Sequence, residues 1–236
     1  MAEFARRITP RLIDFAQHLD WLGRRIVVLG CGTGASIEYL SQYPYTITGI
    51  DNSPEMLELA KRKLSDPGLS LRWQQLDIRE LNLQGGLVDL VLTLNTLNEM
   101  NSLRELETVF GAVQRVLESE KLFIFDMMTV QGLTEAGMAG DDLLYDAPAS
   151  LSVVATNEYD HERQMQTTHY LVFQRQGEGW QRKEARRVLR AFPVQAIGSL
   201  LQRAGFTIRR ILDENLEIYE PGVSRAGRVI FIASKQ

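Results

Sequence analysis

The sequence has little cysteine, little proline and no excess of positive charge, and each shortage excludes a class of protein. Its single cysteine, Cys31, has no partner for an internal disulfide. Seven prolines and 18 glycines among 236 residues are too few for a collagen-like or low-complexity chain. The formal net charge of -4 disfavours a surface that binds nucleic acid by neutralising phosphates. We therefore expect a globular protein that has no nucleic acid partner.

Long hydrophobic runs are missing as well. Even the apolar run 88–94 is interrupted by Asp89 and Thr93, whereas a bilayer span needs about 20 apolar residues. No opening segment combines the basic, apolar and small-residue parts of a secretory signal. We expect a soluble protein of the reducing cytoplasm, without a membrane partner and with an oligomeric state that the sequence does not reveal.

Strand-like and helix-like segments alternate through the first half of the chain. A run of this kind predicts β-α units and an open, mostly parallel sheet with helices on both faces. The predicted strands are 25–29, 45–50, 69–76, 87–94 and 121–127. The predicted helices are 8–22, 35–42, 54–64 and 102–117.

The regular alternation of strand-like and helix-like segments ends after residue 127. We interpret residues 128–150 as loop with one short helix, followed by three strands at 151–159, 164–174 and 180–191 that suggest a small antiparallel insertion. A helix at 193–204 and strands at 206–212 and 228–233 complete a Rossmann-like sheet of seven strands. The predicted domains are a core of residues 1–127, a β insertion of residues 128–191 over the substrate site, and a segment of residues 192–236 that completes the sheet.

A glycine turn and a carboxylate follow the first two predicted strands. Gly30, Gly32 and Gly34 lie between a strand and a helix, where glycine permits a tight turn and the close approach of a ligand. Asp51 ends the second strand about 20 residues later, where this fold places a carboxylate beside a bound ribose. The alternatives are a plain strand-to-helix turn and an N-terminal cap on the helix that begins near Pro54.

Polar residues also follow the third and fourth strands. Asp77 is placed to reach an adenine amino group, or else it is a surface turn residue. Asn95, Asn98 and Glu99 follow the fourth strand, and ligands of open α/β sheets bind at the carboxyl ends of strands. Their alternative role is to cap the helix that begins near Ser102.

These residues together resemble a known family. The run 27–34 (VVLGCGTG) with Asp51, the pair 77–78 (DI) and the run 88–91 (VDLV) looks like the class I S-adenosylmethionine-dependent methyltransferases. The run 123–126 (FIFD), the antiparallel insertion and the segments 189–193 and 201–206 are similar to the small-molecule branch that includes sugar-amine N-methyltransferases.

The resemblance implies S-adenosylmethionine as cofactor and S-adenosylhomocysteine as product. It implies that the glycine turn holds the methionine end, Asp51 the ribose, Met56 and Ile78 the adenine ring, and Asp77 its amino group, with Asn95 and Asn98 at the mouth where the methyl is transferred. The cofactor-binding residues that it implies are Gly30, Cys31, Gly32, Gly34, Asp51, Asn52, Met56, Asp77, Ile78, Leu94 and Asn95. No metal site is expected.

Two positions depart from the family pattern. Val28 stands where the family often has an acidic residue near the methionine moiety, so one polar contact is lost. Arg187 stands where the small-molecule branch often has a histidine, so a histidine base is missing there. Arg187 lies on the more apolar face of its predicted strand, which indicates an anionic partner or simply a charged strand.

The catalytic candidates are Asn98, Glu99, Tyr145, His169 and Arg187. Glu99 and His169, together with His161, are the candidate bases, although either histidine fits a purely structural role. Tyr145 is predicted in a loop across the strand ends, as a wall of the substrate pocket.

The sequence therefore predicts methyl transfer to a small acceptor, anionic or sugar-like, with nitrogen favoured over oxygen. Two alternatives stay open. The pattern Gly30-x-Gly32-x-x-Ala35 also fits an NAD-dependent oxidoreductase. The departures at Val28 and Arg187 also fit a non-catalytic module that only binds S-adenosylmethionine.

Overall fold

The structure, a computed structural model, describes residues 2–19, 21, 23–66, 68–83, 86–147 and 150–236, with only the backbone at 141, 142, 145 and 146. The helices are α1 Ala2–His18, α2 Ala35–Leu40, α3 Pro54–Lys63, α4 Leu103–Val116, α5 Val130–Met138 and α6 Val194–Arg203. The strands are β1 Arg25–Leu29, β2 Thr46–Asp51, β3 Leu71–Gln75, β4 Val88–Thr93, β5 Leu117–Met128, β6 Asp141–Ala147, β7 Leu151–Asp160, β8 Met165–Gln176, β9 Gly179–Arg190, β10 Phe206–Asp213 and β11 Arg228–Lys235.

The core sheet has seven strands in the order β10-β11-β5-β4-β1-β2-β3. The pairs among β1 to β5 are parallel, whereas β11 is antiparallel to both β5 and β10. The predicted open, mostly parallel sheet is confirmed. Because the chain leaves β1 toward β3 and later continues from β4 toward β5, the strand order reverses between β1 and β4, where this fold opens a crevice.

Apolar side chains cover both faces of this sheet. All six positions of β4 are buried, as expected for a central parallel strand. Neighbouring positions of β5 point to opposite faces, so Phe123 packs with α4 and α6 while Ile124 packs with α1 and α2. The carboxyl ends of the strands are thus held on a rigid base.

The second sheet is antiparallel and has the order β6-β7-β8-β9. α5 packs against β7 and β8, and its Leu133 contacts Leu189 and Ala191. The expectation of loop with one short helix over residues 128–150 was wrong for β6, which is a strand. β6 changes register between Leu143 and Tyr145, and such an irregularity breaks the alternation by which a strand is recognised.

The predicted bounds of the other helices agree with the structure to within two residues, except for α1. α1 begins at Ala2 rather than at residue 8, because its buried stripe already includes Ala5, ahead of Pro10. It ends at His18, and the predicted helical residue Leu22 lies outside the described residues.

Candidate functional site

The glycine turn lies directly after β1 and before α2. Gly30 and Gly32 have φ values of 60° and 52°, in the left-handed region that favours glycine. A Cβ on Gly30 would lie 2.2 Å from Oγ1 of Thr96, whereas a Cβ on Gly32 would have nothing within 4 Å. Gly30 therefore allows two chain segments to approach each other, and Gly32 leaves open space for a ligand.

Asp51 ends β2 and bonds back to this turn. Its carboxylate accepts the Gly32 N–H at 2.7 Å and the Ser53 N–H at 3.0 Å, and the residue is only 9% exposed. Ser53 is the residue that caps α3, because its hydroxyl accepts the Met56 N–H. Each carboxylate oxygen has a second lone pair, so Asp51 can also accept hydrogen bonds from a ligand.

The turn and Asp51 open onto one cavity of about 540 Å³, a volume typical of a small-ligand site. The cavity is lined by Gly30, Cys31, Gly32, Asp51, Asn52, Met56, Asp77, Ile78, Leu94, Asn95, Glu99 and Arg187 among others. Gly34 is the one predicted cofactor residue missing from the lining, because it caps α2 and faces Leu64 and Ala60 instead.

One end of the cavity is formed by Met56, Asp77 and Ile78. The carboxylate of Asp77 accepts hydrogen bonds from the Arg79 backbone N–H at 2.9 Å and from its Nη2 at 2.5 Å. The Arg79 guanidinium therefore holds the pKa of Asp77 below its usual value, and the group is ionised at neutral pH. Arg79, which also lies 3.4 Å from Glu105, was missed in the sequence because nothing in its spacing marks it.

Cys31 lies in the cavity wall between these groups. Burial, and then the nearby charge of Asp51, raise the pKa of the Cys31 thiol to about 12. The sulfur is therefore a neutral thiol at physiological pH and not a nucleophile.

The other end of the cavity joins the two sheets. Arg187 of β9 lies 2.7 Å from the Glu99 carboxylate and donates to the Asn95 carbonyl at 2.8 Å. The Arg187 side chain is 19% exposed and that of Glu99 is 46% exposed. A carboxylate and a guanidinium thus meet just after the end of β4, a contact that was not predicted from the sequence.

Asn98 does not line the cavity, contrary to the expectation that it lies at the methyl-transfer mouth. Its Nδ2 donates to the carbonyls of Met128 and Arg190 at 3.0 and 2.8 Å, and its Oδ1 accepts the Met128 N–H at 2.8 Å. The residue is 5% exposed, so its amide is used to join the two sheets.

His169 is also absent from the cavity lining, contrary to its prediction as a base. It is exposed on β8, next to Thr168, which is the residue opposite Arg187. Because successive side chains of a strand alternate, His169 points away from the face that carries Arg187. His161 is exposed in a turn, where its ring contacts Tyr159.

Tyr145 lies in β6 opposite Val153 and not in a loop. Its side chain is outside the described part of the chain, so its predicted role as a pocket wall stays a prediction.

Sequence reasoning missed a buried ion pair beside Asn95. Asp126, near the end of β5, pairs with Arg228 at the start of β11, and the centre of the Phe4 ring lies 4.1 Å from Arg228 Cζ. Burial lowers the pKa of Arg228 to about 10, which leaves it a cation at neutral pH. A charged residue at the end of the buried run 123–126 was a signal for Asp126, whereas no sequence feature marked Arg228 or Phe4.

The described residues offer neither a metal site nor a helix that could span a membrane. No group of three or more His, Cys, Asp or Glu side chains among them is arranged to hold a metal ion. None of the helices in this part of the chain is both long and apolar enough to cross a membrane.

Comparisons with known proteins agree with this geometry. Residues 26–120 match a family model described as a methyltransferase domain. The chain is 29% identical over 213 residues to YqeM of Bacillus subtilis (strain 168), which is named as a methyltransferase, covering 89% of this chain and 84% of that one.

Solved structures of low sequence identity share the fold. An S-adenosylmethionine-dependent methyltransferase from Clostridium acetobutylicum ATCC 824 matches with a TM-score of 0.82 and 23% identity, over 96% of this chain and 90% of that one. CalS10 from Micromonospora echinaspora, described as an amino pentose methyltransferase and solved with S-adenosylmethionine bound, matches with a TM-score of 0.70 and 20% identity, over 98% and 92% of the two chains.

Proposed function

We propose that this chain, which is an S-adenosylmethionine-dependent methyltransferase, methylates a small-molecule acceptor, at nitrogen in preference to oxygen. The observation that carries the proposal is a single cavity reached by the glycine turn, Asp51, Glu99 and Arg187. A nucleoside site and a site for a second reactant therefore share one space.

The residues of the cavity fit the adenosyl group. The open space above Gly32 is where a Cβ would meet a bound ligand, and Asp51 keeps lone pairs for two ribose hydroxyls. We assign the adenine ring to the gap between Met56 and Ile78, and its amino group to Asp77. Cys31, Asn52, Leu94 and Asn95 complete this part of the site, and Gly34 supports it by starting α2.

The chain's own residues contribute positioning. When bound, S-adenosylmethionine would supply an electrophilic methyl group carried on a cationic sulfur. The acceptor's lone pair would take the place of that sulfur at the methyl carbon, with S-adenosylhomocysteine as the leaving group. Fixing two reactants in this arrangement lowers the barrier by about 7 to 11 kcal/mol. The residues of the cavity wall must therefore hold an acceptor behind the methyl carbon, and we assign this place to the part of the cavity that Asn95 lines.

Glu99 and Arg187 are the residues that we assign to contact the acceptor. Glu99 is the remaining predicted base that lines the cavity, and we assign it the proton that an acceptor nitrogen loses. Arg187 is held against Glu99 and the Asn95 carbonyl, and we assign it a carboxylate, phosphate or hydroxyl of the acceptor. Nitrogen is favoured because a neutral amine attacks without a strong base, and because CalS10 is described as acting on an amino pentose.

The insertion of residues 128–191 is proposed as the cover of the acceptor site, between the core of residues 1–127 and the closing segment of residues 192–236. It supplies Arg187 and, through β6, the predicted wall residue Tyr145. The net charge of -4 argues against nucleic acid as a partner. We also expect no membrane partner, because long apolar runs are missing, and a cytoplasmic location, because the single cysteine has no partner for an internal disulfide.

The test is transfer of a labelled methyl group from S-adenosylmethionine to a panel of amino sugars, other amines, hydroxyl compounds and carboxylates. We expect label in an amine, with kcat lowered about 100-fold by Glu99→Gln, the lower end of what a positioned base contributes. Glu107→Gln, which changes an exposed carboxylate paired with Arg203, is the matched control and retains full activity.

Three outcomes contradict the proposal in different ways. Label confined to hydroxyl compounds rejects nitrogen as the acceptor. Tight binding of S-adenosylhomocysteine with no label in any acceptor favours the non-catalytic module. Binding of NADH in place of S-adenosylhomocysteine favours the oxidoreductase.

A further inference from the structure

Asn95, the second residue after β4, adopts a backbone conformation that few residues other than glycine adopt. Its φ is 57°, in the left-handed region, where asparagine is among the least disfavoured residues with a side chain. Conformations of this kind persist only where the surroundings hold them, and they cluster at functional sites. Asn95 lines the cavity at the end of β4.

Three charged side chains hold Asn95 there. Its backbone N–H donates to Asp126 Oδ1 at 2.6 Å, and its side-chain Oδ1 accepts from Arg228 Nη1 at 2.8 Å. Its carbonyl accepts from Arg187 Nη2 at 2.8 Å. Hydrogen bonds that involve an ionised group are shorter and stronger than neutral ones, so each of these contacts restrains the residue firmly.

Asp126 and Arg228 are deeply buried for a charged pair. The Asp126 side chain has no exposed surface, and that of Arg228 is 15% exposed beneath the Phe4 ring. A buried ion pair is weak support for stability, because its desolvation offsets most of the attraction and an apolar pair of similar volume often serves as well. A role in the placement of Asn95 explains why charges are used at this position.

We propose that Asp126 and Arg228 are positioning residues that fix Asn95 in its left-handed conformation at the methyl-transfer mouth. The inference rests on the proposed function. The Asn95 carbonyl in turn accepts a hydrogen bond from Arg187. The pair therefore fixes the position of the segment after β4 and, through Asn95, the position of the Arg187 guanidinium on the acceptor side. The glycine turn and Asp51 bond each other instead, so the pair acts mainly on the methyl end of the cofactor.

The experiment compares two cofactor analogues that differ at the methyl position. S-adenosylhomocysteine lacks a group there, whereas sinefungin carries an amine in place of the methyl. We expect the double variant Asp126→Leu/Arg228→Met to lose about tenfold more affinity for sinefungin than for S-adenosylhomocysteine by calorimetry. Hydrogen exchange at the backbone amide of Asn95 becomes faster in the same variant, because the Asp126 acceptor is gone.

A double-mutant cycle separates positioning from a general structural role. In an Asn95→Gly background, where glycine adopts the left-handed region freely and offers no Oδ1 to Arg228, the pair variant shifts the ratio of the two affinities less than it does in the parent protein. Asp89→Asn removes a buried, arginine-paired carboxylate at the opposite end of β4, and it leaves both the ratio and the exchange at Asn95 unchanged. Asp126→Asn, which keeps the side-chain volume, replaces the double variant if that one fails to fold. Because its amide oxygen can still accept the Asn95 N–H, the ratio of the two affinities is then the readout.

The outcomes are distinct. An equal loss of both analogues, an unchanged exchange rate at Asn95, or the same shift with and without the Asn95→Gly substitution overturns the positioning role. If the unmodified protein binds neither analogue, the proposed function fails, and the inference that rests on it fails with it.

Discussion

The amino and carboxyl edges of the core sheet both have buried aspartates, but the carboxylates have different surroundings. At the amino end, Asp89 accepts the backbone N–H groups of Arg24 and Arg25, each at 2.8 Å, and the Arg25 guanidinium at 2.6 Å. The Trp21 ring N–H donates to the Asp89 carbonyl at 2.8 Å. These contacts close that edge of the sheet.

At the carboxyl end the equivalent groups border a cavity. Asp51 accepts two backbone N–H groups and still faces the space above Gly32, and Asp126 holds Asn95 at the cavity wall. This difference between the two edges follows from the order of the strands. At the carboxyl edge the chain leaves β1 toward β2 and leaves β4 toward β5, so the two connections run in opposite directions and leave a crevice between them. In this sheet, the buried carboxylates that border a ligand site are therefore those at the carboxyl edge, next to the crevice, and not Asp89 at the amino edge.

The largest effect is expected at the glycine turn of the carboxyl edge. Gly30→Ala places a methyl group 2.2 Å from Thr96 Oγ1 at a φ of 60°, so overpacking and backbone strain together lower the free energy of unfolding by about 2 to 4 kcal/mol. Urea unfolding followed by circular dichroism measures it.

Gly32→Ala is the control for that variant. It adds strain of about 1 kcal/mol without a clash, yet it loses S-adenosylhomocysteine binding because its methyl group occupies ligand space. Equal destabilisation by the two variants would contradict the close contact of Gly30 with Thr96. Normal ligand binding by Gly32→Ala would show that the turn does not hold the ligand.

The next effect concerns Asp51. We expect Asp51→Ala to weaken binding of S-adenosylhomocysteine by about 2 to 3 kcal/mol, which is on the order of 100-fold in Kd, because charge-assisted hydrogen bonds are lost. Titration calorimetry measures the change, and Asp14→Ala, at an exposed carboxylate of α1, is the control. An unaltered Kd in a folded Asp51→Ala protein contradicts the ribose assignment.

A smaller and purely structural effect is expected at the amino edge. Burial acts to raise the pKa of Asp89, but the Arg25 guanidinium and two backbone donors outweigh it and lower the pKa to about 2. The carboxylate therefore stabilises the fold above about pH 4, and this contribution is lost as the pH falls toward 2.

Asp89→Asn accordingly lowers the free energy of unfolding by about 2 kcal/mol at pH 7, and the difference from the parent shrinks below about pH 4. Urea unfolding at several pH values follows this trend, while the Kd of S-adenosylhomocysteine stays unchanged. A loss of ligand affinity in this variant would remove the contrast between the two edges.

The last prediction concerns the chemical reactivity of Cys31, where the smallest effect on stability and binding is expected. Because burial and Asp51 raise the pKa of its thiol to about 12, iodoacetamide at pH 8 reacts with the folded protein far more slowly than with the protein in urea. Mass spectrometry of the alkylated peptide gives the rate. Rapid alkylation in the folded state would mean that the cavity wall at the carboxyl edge is not closed around Cys31.

The parts of the site that follow strands in chain order could be predicted from the sequence. Gly30 directly follows one recognisable β-strand pattern and Asp51 ends the next. Because parallel strands bring their carboxyl ends to one edge of a sheet, the two residues were expected to lie close together. Glu99 and Arg187 were also predicted, and the structure brings them to 2.7 Å from each other.

The remaining parts depend on contacts between distant segments, which no local pattern encodes. Arg228 reaches Asn95 across 133 positions, and Phe4 belongs to a helix turn ahead of the predicted start of α1. Asn98 was misplaced because a polar residue after a strand satisfies backbone groups as readily as a ligand, and here it bonds Met128 and Arg190.

The most direct measurement is a crystal structure of the protein with S-adenosylhomocysteine. The proposed function predicts that the ligand binds in the cavity, with both ribose hydroxyls within hydrogen-bond distance of the Asp51 carboxylate and the sulfur toward Asn95. A ligand bound elsewhere, or a ribose turned away from Asp51, would contradict it.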